Sequence, residues 1–358
     1  MSGGVDSSVS AALLKEEGYD VTGVFMKVWQ PDFLECSRGD DRREAMRAAA
    51  HLKIPFLTFD FEKEYKKEVI DYMVREYKAG RTPNPDVMCN QRIKFGAFFQ
   101  KARAMGADFV ATGHYARIGV SVERLAVRRN SVKLDPKRYT LYAGRDKNKD
   151  QSYFLWTLTQ EHLKHTLFPV GGLLKSEVRA LARKFGLPNA ERKESQGLCF
   201  VGEFKLKDFL EHFIPPRRGE VVTDTGEVVG HHDGAVYYTL GQRHGFIVTK
   251  KTPNEPPYYI VQKNVKKNIL IVSHKGPHMR GVKETMIHNV HFVSGKVPDM
   301  EKAYKARFRY RQPLVNVKIK KKKSKIVICF EKLQEAVTPG QSLVMYNGEE
   351  CIGGGIIE

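Results

Sequence analysis

The first residues of the chain combine glycines with hydroxyl side chains, a pattern typical of an anion-binding loop. The segment consists of Ser2, Gly3, Gly4, Val5, Asp6 and Ser7, and it stands directly before an alanine- and leucine-rich helical pattern. Glycines let backbone N–H groups approach a phosphate, hydroxyls add donors, and a helix N-terminus adds partial positive charge. Asp6 is poorly suited to bare phosphate but suits a Mg²⁺ ion that bridges phosphate oxygens. The loop therefore predicts a phosphate site, although it matches neither GxxxxGK[ST] nor GxGxxG.

A second chemical group is the thiol of Cys89, which follows the proline-stiffened segment GRTPNPDVMCNQRIKFG. This segment predicts that Cys89 lies at the start of a helix, where the helix dipole and the nearby Arg92 and Lys94 favour a thiolate. Asp86 lies three residues earlier and is placed to carry a proton. The competing interpretation is a small buried apolar residue. The polar NPD sequence beside the thiol favours a functional role.

The other cysteines carry weaker signals. Cys199 lies in the glycine-containing segment ESQGLCFVG, and taken alone it fits a core position better than a catalytic one. Cys36, Cys329 and Cys351 are interpreted as structural. Five scattered cysteines without a CxxC pair argue against a secreted disulfide framework and against a structural zinc site.

The composition indicates a globular protein with a polyanionic partner. The chain has 358 residues, 41% hydrophobic and 28% charged, and a formal net charge of +19. A positive field of this size favours nucleic acid over a membrane surface, because no basic amphipathic helix stands out. No apolar run reaches bilayer length and the N-terminus has no signal-peptide core, so we expect a cytoplasmic protein without a membrane partner.

Helix and strand patterns alternate in the first third of the chain. Helices are predicted over Ser8–Glu17, Arg42–Leu52, Glu62–Ala79 and Asn90–Met105, and strands over Val21–Met26, Pro55–Asp60 and Asp108–Thr112. This alternation predicts a parallel, doubly wound α/β sheet. After about residue 200 the segments become short, β-branched and punctuated by turns. We therefore predict an α/β domain at 1–200, a small β-rich domain at 201–278 and a β-barrel at 279–358.

Basic residues are concentrated in the predicted barrel. Residues 301–330 hold eleven Lys or Arg against one acid, Glu301. The run Lys318–Lys325 predicts nonspecific attraction to phosphate with a strong salt dependence. A solvated hairpin tip is an equally good interpretation of this run. The arginine-rich residues 120–138 predict an extended hairpin directed toward RNA.

The opening loop resembles the phosphate-binding loop of the N-type ATP pyrophosphatases. Further motifs then occur in the order seen in bacterial tRNA-specific 2-thiouridylases: SGGVDSS, FMKVW, NPDVMCNQRIKFG, ATGHYAR, NKDQSYFLW, SQGLCFVG, YTLGQRHG, RYRQ and TPGQSLVMYNGEECIGGGIIE. The resemblance covers essentially the whole chain. It implies an adenine nucleotide alpha hydrolase-like sheet and ATP-dependent replacement of the C2 oxygen of the wobble uridine in tRNAs for Lys, Glu and Gln by sulfur.

The resemblance also implies roles for individual residues. Cys199 would carry a persulfide received from a cysteine desulfurase or a sulfur-relay protein, Cys89 would attack that persulfide, and Asp86 would transfer a proton or position the base. The opening loop would bind ATP with Mg²⁺ at Asp6, and Met26 and Gly113 would line the adenosine site. Residues implied to contact tRNA are Asn84, Pro85, Asp86, His114, Lys149, Asp150, Gln151, Arg309, Tyr310 and Gln341. The first three would touch a uridine that leaves its stack, as chemistry on a base requires.

One element of the resembling proteins lies outside the given sequence. In the superfamily the loop follows a hydrophobic strand, whereas only Met1 precedes Ser2 here. We therefore expect an in-frame upstream sequence that encodes a short Val/Ile-rich strand. The alternative is that the following helix alone holds the loop.

Two other functions fit part of the pattern. A related adenylating enzyme could act on a small molecule, but it would leave the two cysteines and the charge of +19 without a role. An inactive tRNA-binding homologue with a degenerate ATP site is the second alternative. Release of pyrophosphate that depends on tRNA separates both from a thiouridylase.

Overall fold

A computed structural model describes residues 1–33, 38–121, 138–193, 206–249, 255–275, 281–323 and 325–358. Its first region is an α/β unit whose helices and strands agree with the predicted alternation. The helices are α1 (Val5–Glu16), α2 (Arg38–His51), α3 (residues 62–78), α4 (residues 85–104), α5 (Gln160–Lys164) and α6 (Lys175–Lys184). The strands are β1 (Gly23–Lys27), β2 (Phe56–Asp60), β3 (Val110–Ala111), β4 (Ala116–Ser121), β5 (Arg138–Ala143) and β6 (Thr166–Leu167).

Four of these strands form two parallel pairs. β1 pairs with β2, and β3 pairs with β6. Parallel pairing requires crossover connections, which the intervening helices supply. The α-amino group of Met1 donates to the carbonyl of Val24 and so lies beside β1.

Helices α3 and α4 each contain a central segment with wider, π-type hydrogen bonding. In α3 this segment is Lys66–Asp71, and in α4 it is Cys89–Phe98. The prediction that α4 starts at Asn90 is wrong, because the helix begins five residues earlier at Pro85. Asn84 caps it by accepting a hydrogen bond from the N–H of Val87 at 3.2 Å, and proline is favoured at the first helical position.

The middle region is a five-stranded sheet preceded by the short helix α7 (Leu206–Glu211). Its strand order is β10-β11-β7-β8-β9. The strands are β7 (Gly219–Thr223), β8 (Val228–His232), β9 (Ile247–Val248), β10 (Tyr259–Asn264) and β11 (Ile269–Ser273).

The last region is a closed six-stranded barrel. Its strands are β12 (Val282–Phe292), β13 (Ala303–Arg307), β14 (Val315–Lys322), β15 (Lys325–Gln334), β16 (Ser342–Asn347) and β17 (Glu350–Ile357). The order is β12-β15-β14-β13-β16-β17, and pairing of β12 with β17 closes the barrel. Closure removes the unpaired edges that an open sheet would expose. The lysine run forms the β14–β15 hairpin, as the second interpretation of that run predicts.

The three regions share hydrophobic cores. One cluster combines Tyr65 and Ile70 of α3 with Val221, Ile260 and Leu270 of the middle sheet. Shared apolar surface of this kind resists separation of the regions, because exposing it to water costs about 25 cal/mol per Å².

A second cluster joins the α/β unit to the barrel. It combines Phe95, Tyr153 and Trp156 with Val344 and Tyr346. The β4–β5 hairpin also extends the barrel sheet, because Tyr142 pairs with Glu350. The interior of the predicted 120–138 extension, residues 122–137, lies outside the described residues. The domain limits at residues 200 and 278 also fall in undescribed stretches and stay a prediction.

Among the described residues, no helix combines the length and the apolar character needed to span a bilayer.

A buried ion pair links the α/β unit to the barrel. The Asp150 carboxylate accepts hydrogen bonds from the N–H groups of Gly144 and Ser152, both at 3.0 Å. Its second oxygen accepts from the Arg307 guanidinium at 2.7 Å, and the side chains of Asp150 and Arg307 are 2% and 10% exposed. Both charges are therefore removed from water and depend on each other.

We predict that Arg307→Met lowers the free energy of unfolding by about 3 kcal/mol, because it leaves the buried Asp150 carboxylate without its counter-charge. Chemical denaturation measures this loss. The control is Arg117→Met, since Arg117 also reaches the barrel through Glu349 but both side chains are at least 38% exposed. That variant should lose less than about 1 kcal/mol. Equal losses for the two variants would contradict the prediction.

Candidate functional site

The opening loop forms a compact turn at the N-terminus of α1. The Ser7 hydroxyl accepts a hydrogen bond from the N–H of Ser2 at 3.1 Å and donates to the carbonyl of Gly4 at 3.0 Å. Ser2 and Ser7 hydroxyls lie 3.3 Å apart. Glycine is required at residue 3, since its φ is +80° and a Cβ there would lie 2.4 Å from the carbonyl oxygen of Asp41. Sequence and fold thus agree on a tight turn that opens a helix.

Asp6 is held at this turn by two donors from other parts of the α/β unit. One carboxylate oxygen accepts hydrogen bonds from the Tyr115 hydroxyl at 2.7 Å and from the Lys175 ammonium at 2.6 Å. Tyr115 follows β3, and Lys175 begins α6, which packs against α1. The Lys175 side chain is only 14% exposed. An ion pair between Lys175 and Asp6 therefore lies at the N-terminus of α1.

Gly113 and Met26 occupy different positions relative to the loop. A Cβ on Gly113 would lie 2.8 Å from both the carbonyl carbon of Asp6 and the nitrogen of Ser7, so the glycine lets the two segments touch. Met26 lies in β1 opposite Phe59 and packs at the margin of the first hydrophobic cluster. The predicted role of both residues at adenosine stays a prediction.

The loop is also held by hydrogen bonds from Asn189 and Arg192. The sequence interpretation missed both residues. The buried Asn189 amide donates to the carbonyl of Gly3 at 2.8 Å and to the Ser8 hydroxyl at 3.0 Å. The Arg192 guanidinium donates to the same Gly3 carbonyl at 3.1 Å and forms an ion pair with Asp41. Asn189 and Arg192 lie three positions apart in the segment after α6, and this segment matches no recognisable motif. The lysine that opens α6 was missed for the same reason.

The residues around the loop fit a polyphosphate better than a resident metal. Lys175 and Arg192 supply positive charge, and the glycines at 3 and 113 bring backbone close to the loop. Asp6 is the carboxylate available to Mg²⁺ on the loop, and within the described ranges no group of three or more metal-binding side chains was found. A Mg²⁺ ion here would take its other ligands from phosphate oxygens and water, which is its usual preference.

His114 lies next to the loop but is buried. Its Nδ1 lies 2.7 Å from the Thr112 hydroxyl, and its Nε2 lies 3.3 Å from the Lys94 ammonium. Burial, and secondarily the charge of Lys94, lower the pKa of His114 well below 6.5. The imidazole is therefore neutral at pH 7, and Nε2 can accept a hydrogen bond from Lys94.

Asp86 and Cys89 both lie on α4, but they differ in exposure. Asp86 is half-buried in the first turn, and its carbonyl accepts a hydrogen bond from the Asn90 amide at 3.0 Å. Cys89 lies in the second turn rather than at the helix start, and it is completely buried in the first hydrophobic cluster. A thiol enclosed by apolar side chains must become exposed before it can attack a sulfur.

The cations expected to favour a Cys89 thiolate have other partners. The Arg92 guanidinium lies 3.9 Å from Glu68, and the Lys94 ammonium lies beside His114. Cys199 falls in residues 194–205, outside the described ranges, so its predicted role is not tested by the geometry.

Among residues 149–151, the side chains of Asp150 and Gln151 form hydrogen bonds within the protein. Asp150 is the buried partner of Arg307, while Gln151 accepts a hydrogen bond from the N–H of Tyr115 at 3.0 Å. Lys149 is half-buried and lines an open cavity with Lys147 and Arg311. Lys149 therefore lines the same cavity as a cationic residue of the barrel, Arg311, and the predicted tRNA contacts of residues 149–151 stay predictions.

Arg309, Tyr310 and Gln341 of the barrel also contact protein groups. The Arg309 guanidinium donates to the carbonyls of Leu240 at 3.3 Å and Ala336 at 3.2 Å. Tyr310 packs against Phe154 with 4.5 Å between ring centroids. The Gln341 amide donates to backbone carbonyls of the α/β unit, at the segment that precedes α4. None of these contacts tests the predicted contact with tRNA.

Comparison with known proteins adds three consecutive matches to family models. The tRNA methyl transferase HUP domain matches residues 1–203, the tRNA methyl transferase PRC-barrel domain matches residues 207–274, and the aminomethyltransferase beta-barrel domain matches residues 282–357. An α/β nucleotide-binding fold followed by two β-rich domains is the predicted fold class, which these matches confirm.

The chain is also similar over its whole length to curated proteins named tRNA-specific 2-thiouridylase MnmA. It is 45% identical to the one from Streptococcus thermophilus, over 100% of this chain and 94% of that protein. Identity to the Streptococcus sanguinis protein is 44%, with the same coverage. For Streptococcus equi subsp. zooepidemicus the identity is 45%, over 100% of this chain and 93% of that protein.

We predict that the buried neutral His114 makes the protein less stable at acidic pH. The unfolded chain takes up a proton on this imidazole below pH 6.5, whereas the folded protein resists it, so stability is lost as the pH falls. Between about pH 7.5 and 5.5, His114→Gln should lose about 1 kcal/mol less unfolding free energy than the wild type. The exposed His244 provides the control, and His244→Gln should behave as the wild type. If His114→Gln loses as much unfolding free energy on acidification as the wild type, His114 is not the source of the acid sensitivity.

Proposed function

Because this chain belongs to the family of tRNA-specific 2-thiouridylases, we propose that it is an ATP-dependent tRNA sulfurtransferase. It would replace O2 of the wobble uridine by sulfur in tRNAs for Lys, Glu and Gln, in the cytoplasm. The observation that carries this proposal is the combination of a helix-opening phosphate loop, flanked by Lys175 and Arg192, with the α4 segment that presents Asp86 and Cys89.

The first half-reaction is adenylation of the uridine. O2 attacks the α-phosphorus of ATP, the bond to the β-phosphate oxygen breaks, and pyrophosphate leaves. Lys175 and the backbone at Gly3 and Gly4 would offset the negative charge of the phosphates, an electrostatic role that needs little rearrangement. Asp6 would hold a Mg²⁺ ion that offsets phosphate charge, and the Lys175 ammonium, which donates to the Asp6 carboxylate, would fix the position of that carboxylate.

The second half-reaction exchanges AMP for sulfur at C2. A persulfide on Cys199, supplied by a separate sulfur-donor protein, would provide the outer sulfur. In one route Cys89 would attack the inner sulfur of the Cys199 persulfide, the persulfide S–S bond would break, and the released sulfide would add to C2. In the other route the outer sulfur would add to C2 first, and Cys89 would then attack the Cys199 sulfur of that mixed species and free the thiouridine. Both routes leave a Cys89–Cys199 disulfide. In both routes the former O2 leaves with AMP, and a thiol reductant returns the cysteines to their starting state. Asp86, half-buried one turn before Cys89, would move a proton or position the base.

Burial of Cys89 fits a reaction that starts only after tRNA binds. In the described state the thiol is covered by the first hydrophobic cluster, so it is protected from oxidation. The wider hydrogen bonding of α4 begins at Cys89 itself, and such segments often mark functional sites in helices. Insertion of a uridine beside Asn84, Pro85 and Asp86 would expose the thiol by shifting this part of the helix.

Release of pyrophosphate from ATP tests the proposal. We expect release only when unmodified substrate tRNA is present, because O2 of the uridine is the nucleophile. Release with a small-molecule acceptor alone would favour a different adenylating enzyme. Absence of release with tRNA bound would favour the inactive tRNA-binding homologue.

We predict that Cys199→Ser abolishes thiolation but retains pyrophosphate release and tRNA binding, since a serine cannot carry a persulfide. Thiolation is measured by nucleoside analysis of the tRNA product, with the sulfur-donor system present. The matched control is Cys329→Ser in the barrel strand β15, which should thiolate at the wild-type rate. Normal thiolation by Cys199→Ser would remove the persulfide role from this residue.

The β14–β15 hairpin supports a polyanionic substrate. Along β14, Lys318, Lys320 and Lys322 are exposed, and the inward residues Val317 and Ile319 are buried in the barrel. This alternation places the ammonium groups in one row on the barrel surface. We propose that the row attracts tRNA phosphates without reading sequence.

We predict that the triple substitution Lys318→Gln, Lys320→Gln, Lys322→Gln weakens tRNA binding and reduces the slope of log Kd against log salt concentration. Three lost phosphate contacts would reduce the slope by about 2 to 3. Filter binding at several salt concentrations measures it. Lys184→Gln, on the exposed end of α6, serves as the control and should leave the slope nearly unchanged. An unchanged slope in the triple variant would show that the row does not touch tRNA.

A further inference from the structure

All three regions of the protein meet at residues 80–84, immediately before the helix that carries Asp86 and Cys89. The Thr82 hydroxyl lies 3.3 Å from the Thr239 hydroxyl of the middle region. The N–H of Thr82 donates to the carbonyl of Pro339 in the barrel at 2.9 Å. Thr82 is itself 8% exposed. This junction encloses backbone polar groups that need partners, since an unpaired buried group is costly.

Gln341 supplies partners for two of these groups. Its amide nitrogen donates to the carbonyl of Thr82 at 2.8 Å and to the carbonyl of Pro83 at 3.1 Å. One side chain of the barrel therefore bonds two consecutive peptide units of the α/β unit. Asn84, the next residue, is the cap of α4.

The backbone around Gln341 is shaped for this contact. Gly340 has φ +93°, and a Cβ there would lie 2.9 Å from the carbonyl oxygen of Thr82. Only glycine permits so close an approach with that backbone conformation. Gln341 is also tied to the last barrel strand, because its carbonyl accepts from the N–H of Ile357 at 2.9 Å. The barrel thus presents the Gln341 amide from a fixed position.

Neighbouring contacts reinforce the same junction. The Tyr153 hydroxyl donates to the carbonyl of Ser342 at 2.9 Å. The same hydroxyl is also hydrogen-bonded to the side chain of Asn84. Arg309 joins the Thr338 hydroxyl to the carbonyl of Leu240 in the middle region, with both contacts at 3.3 Å. The segment that starts the catalytic helix is therefore held from the barrel on one side and from the middle region on the other.

We propose that Gln341 is a positioning residue for the catalytic segment 84–89, so that the barrel completes the active site rather than serving only to bind tRNA. This inference rests on the proposed function for its kinetic consequence, but its structural consequence does not depend on it. Loss of the Gln341 amide leaves the carbonyls of Thr82 and Pro83 without this hydrogen-bond donor. The backbone that leads into Asn84, the cap of α4, is then held less firmly. Asp86 then samples positions in which it no longer faces the reacting uridine.

The test compares Gln341→Met, which keeps the side-chain length but has no donor, with the wild type and with Gln334→Met. Gln334 is a barrel residue whose amide donates to the nearby carbonyl of Lys332, so its substitution should leave activity and exchange unchanged. Gln341→Ala is made in parallel as a second variant in case the methionine perturbs folding. Three quantities are measured on the full chain: hydrogen exchange of residues 81–90 without tRNA, Kd for tRNA, and the rate of pyrophosphate release at saturating tRNA.

For both Gln341 variants we expect at least tenfold faster exchange in residues 81–90, Kd within twofold of wild type, and about a tenfold lower saturated rate, as misplacement of reacting groups causes. A weaker Kd with a normal saturated rate and normal exchange would overturn the proposal and make Gln341 a tRNA contact instead. Unchanged values of all three would also overturn it. If the wild type itself releases no pyrophosphate, the proposed function fails, while the exchange result still decides whether Gln341 positions the segment.

Discussion

The carbonyls of Thr82 and Pro83 impose the constraint on which the site depends. They precede α4 in a segment enclosed by all three regions, and the Gln341 amide from the barrel is bonded to both. The direction in which α4 leaves this junction decides where Asp86 and Cys89 lie. An α/β unit without its barrel would leave these groups to water and would hold the start of the helix less firmly. The three regions therefore depend on one another at this junction, and the shared hydrophobic clusters show the same interdependence.

Charge near the opening loop is arranged around Asp6. Lys175 and Tyr115 hold one carboxylate oxygen, while Asn189 and Arg192 hold the backbone of the turn at Gly3. These groups come from segments far apart in the chain, so the loop is shaped by tertiary contacts as well as by its own glycines. Close to it, burial keeps His114 neutral beside the Lys94 ammonium. Positive charge is thus concentrated near the loop without a protonated histidine.

Local sequence patterns predicted helices α1 to α4 and strands β1 to β3 of the α/β unit, the tight turn before α1 and the basic barrel hairpin. These features follow from neighbouring residues: glycine in the turn, alternation along strands and apolar periodicity along helices. The start of α4 was misplaced because NPD was interpreted as loop, whereas Asn84 and Pro85 are a cap and a first helical residue. Lys175, Asn189 and Arg192 were missed because only the fold brings them to Gly3 and Asp6.

The resemblance predicted which residues contact tRNA, but it did not predict which protein groups those residues bond to. Asp150, Arg309 and Gln341 were expected at tRNA, and in the structure each is bonded to protein groups that join the regions. No periodicity or spacing signals such long-range pairing. The joining of the β4–β5 hairpin to the barrel through Tyr142 and Glu350 was unforeseen for the same reason.

The central claim is that ATP activates a uridine of bound tRNA and that sulfur then displaces AMP from it. The most direct measurement counts both products in a single turnover of the wild-type chain with unmodified tRNA, ATP, Mg²⁺ and a persulfide donor. The account predicts equal amounts of pyrophosphate and 2-thiouridine, with the sulfur located at the wobble position. Thiouridine formed without pyrophosphate, or sulfur found at another nucleotide, would contradict it.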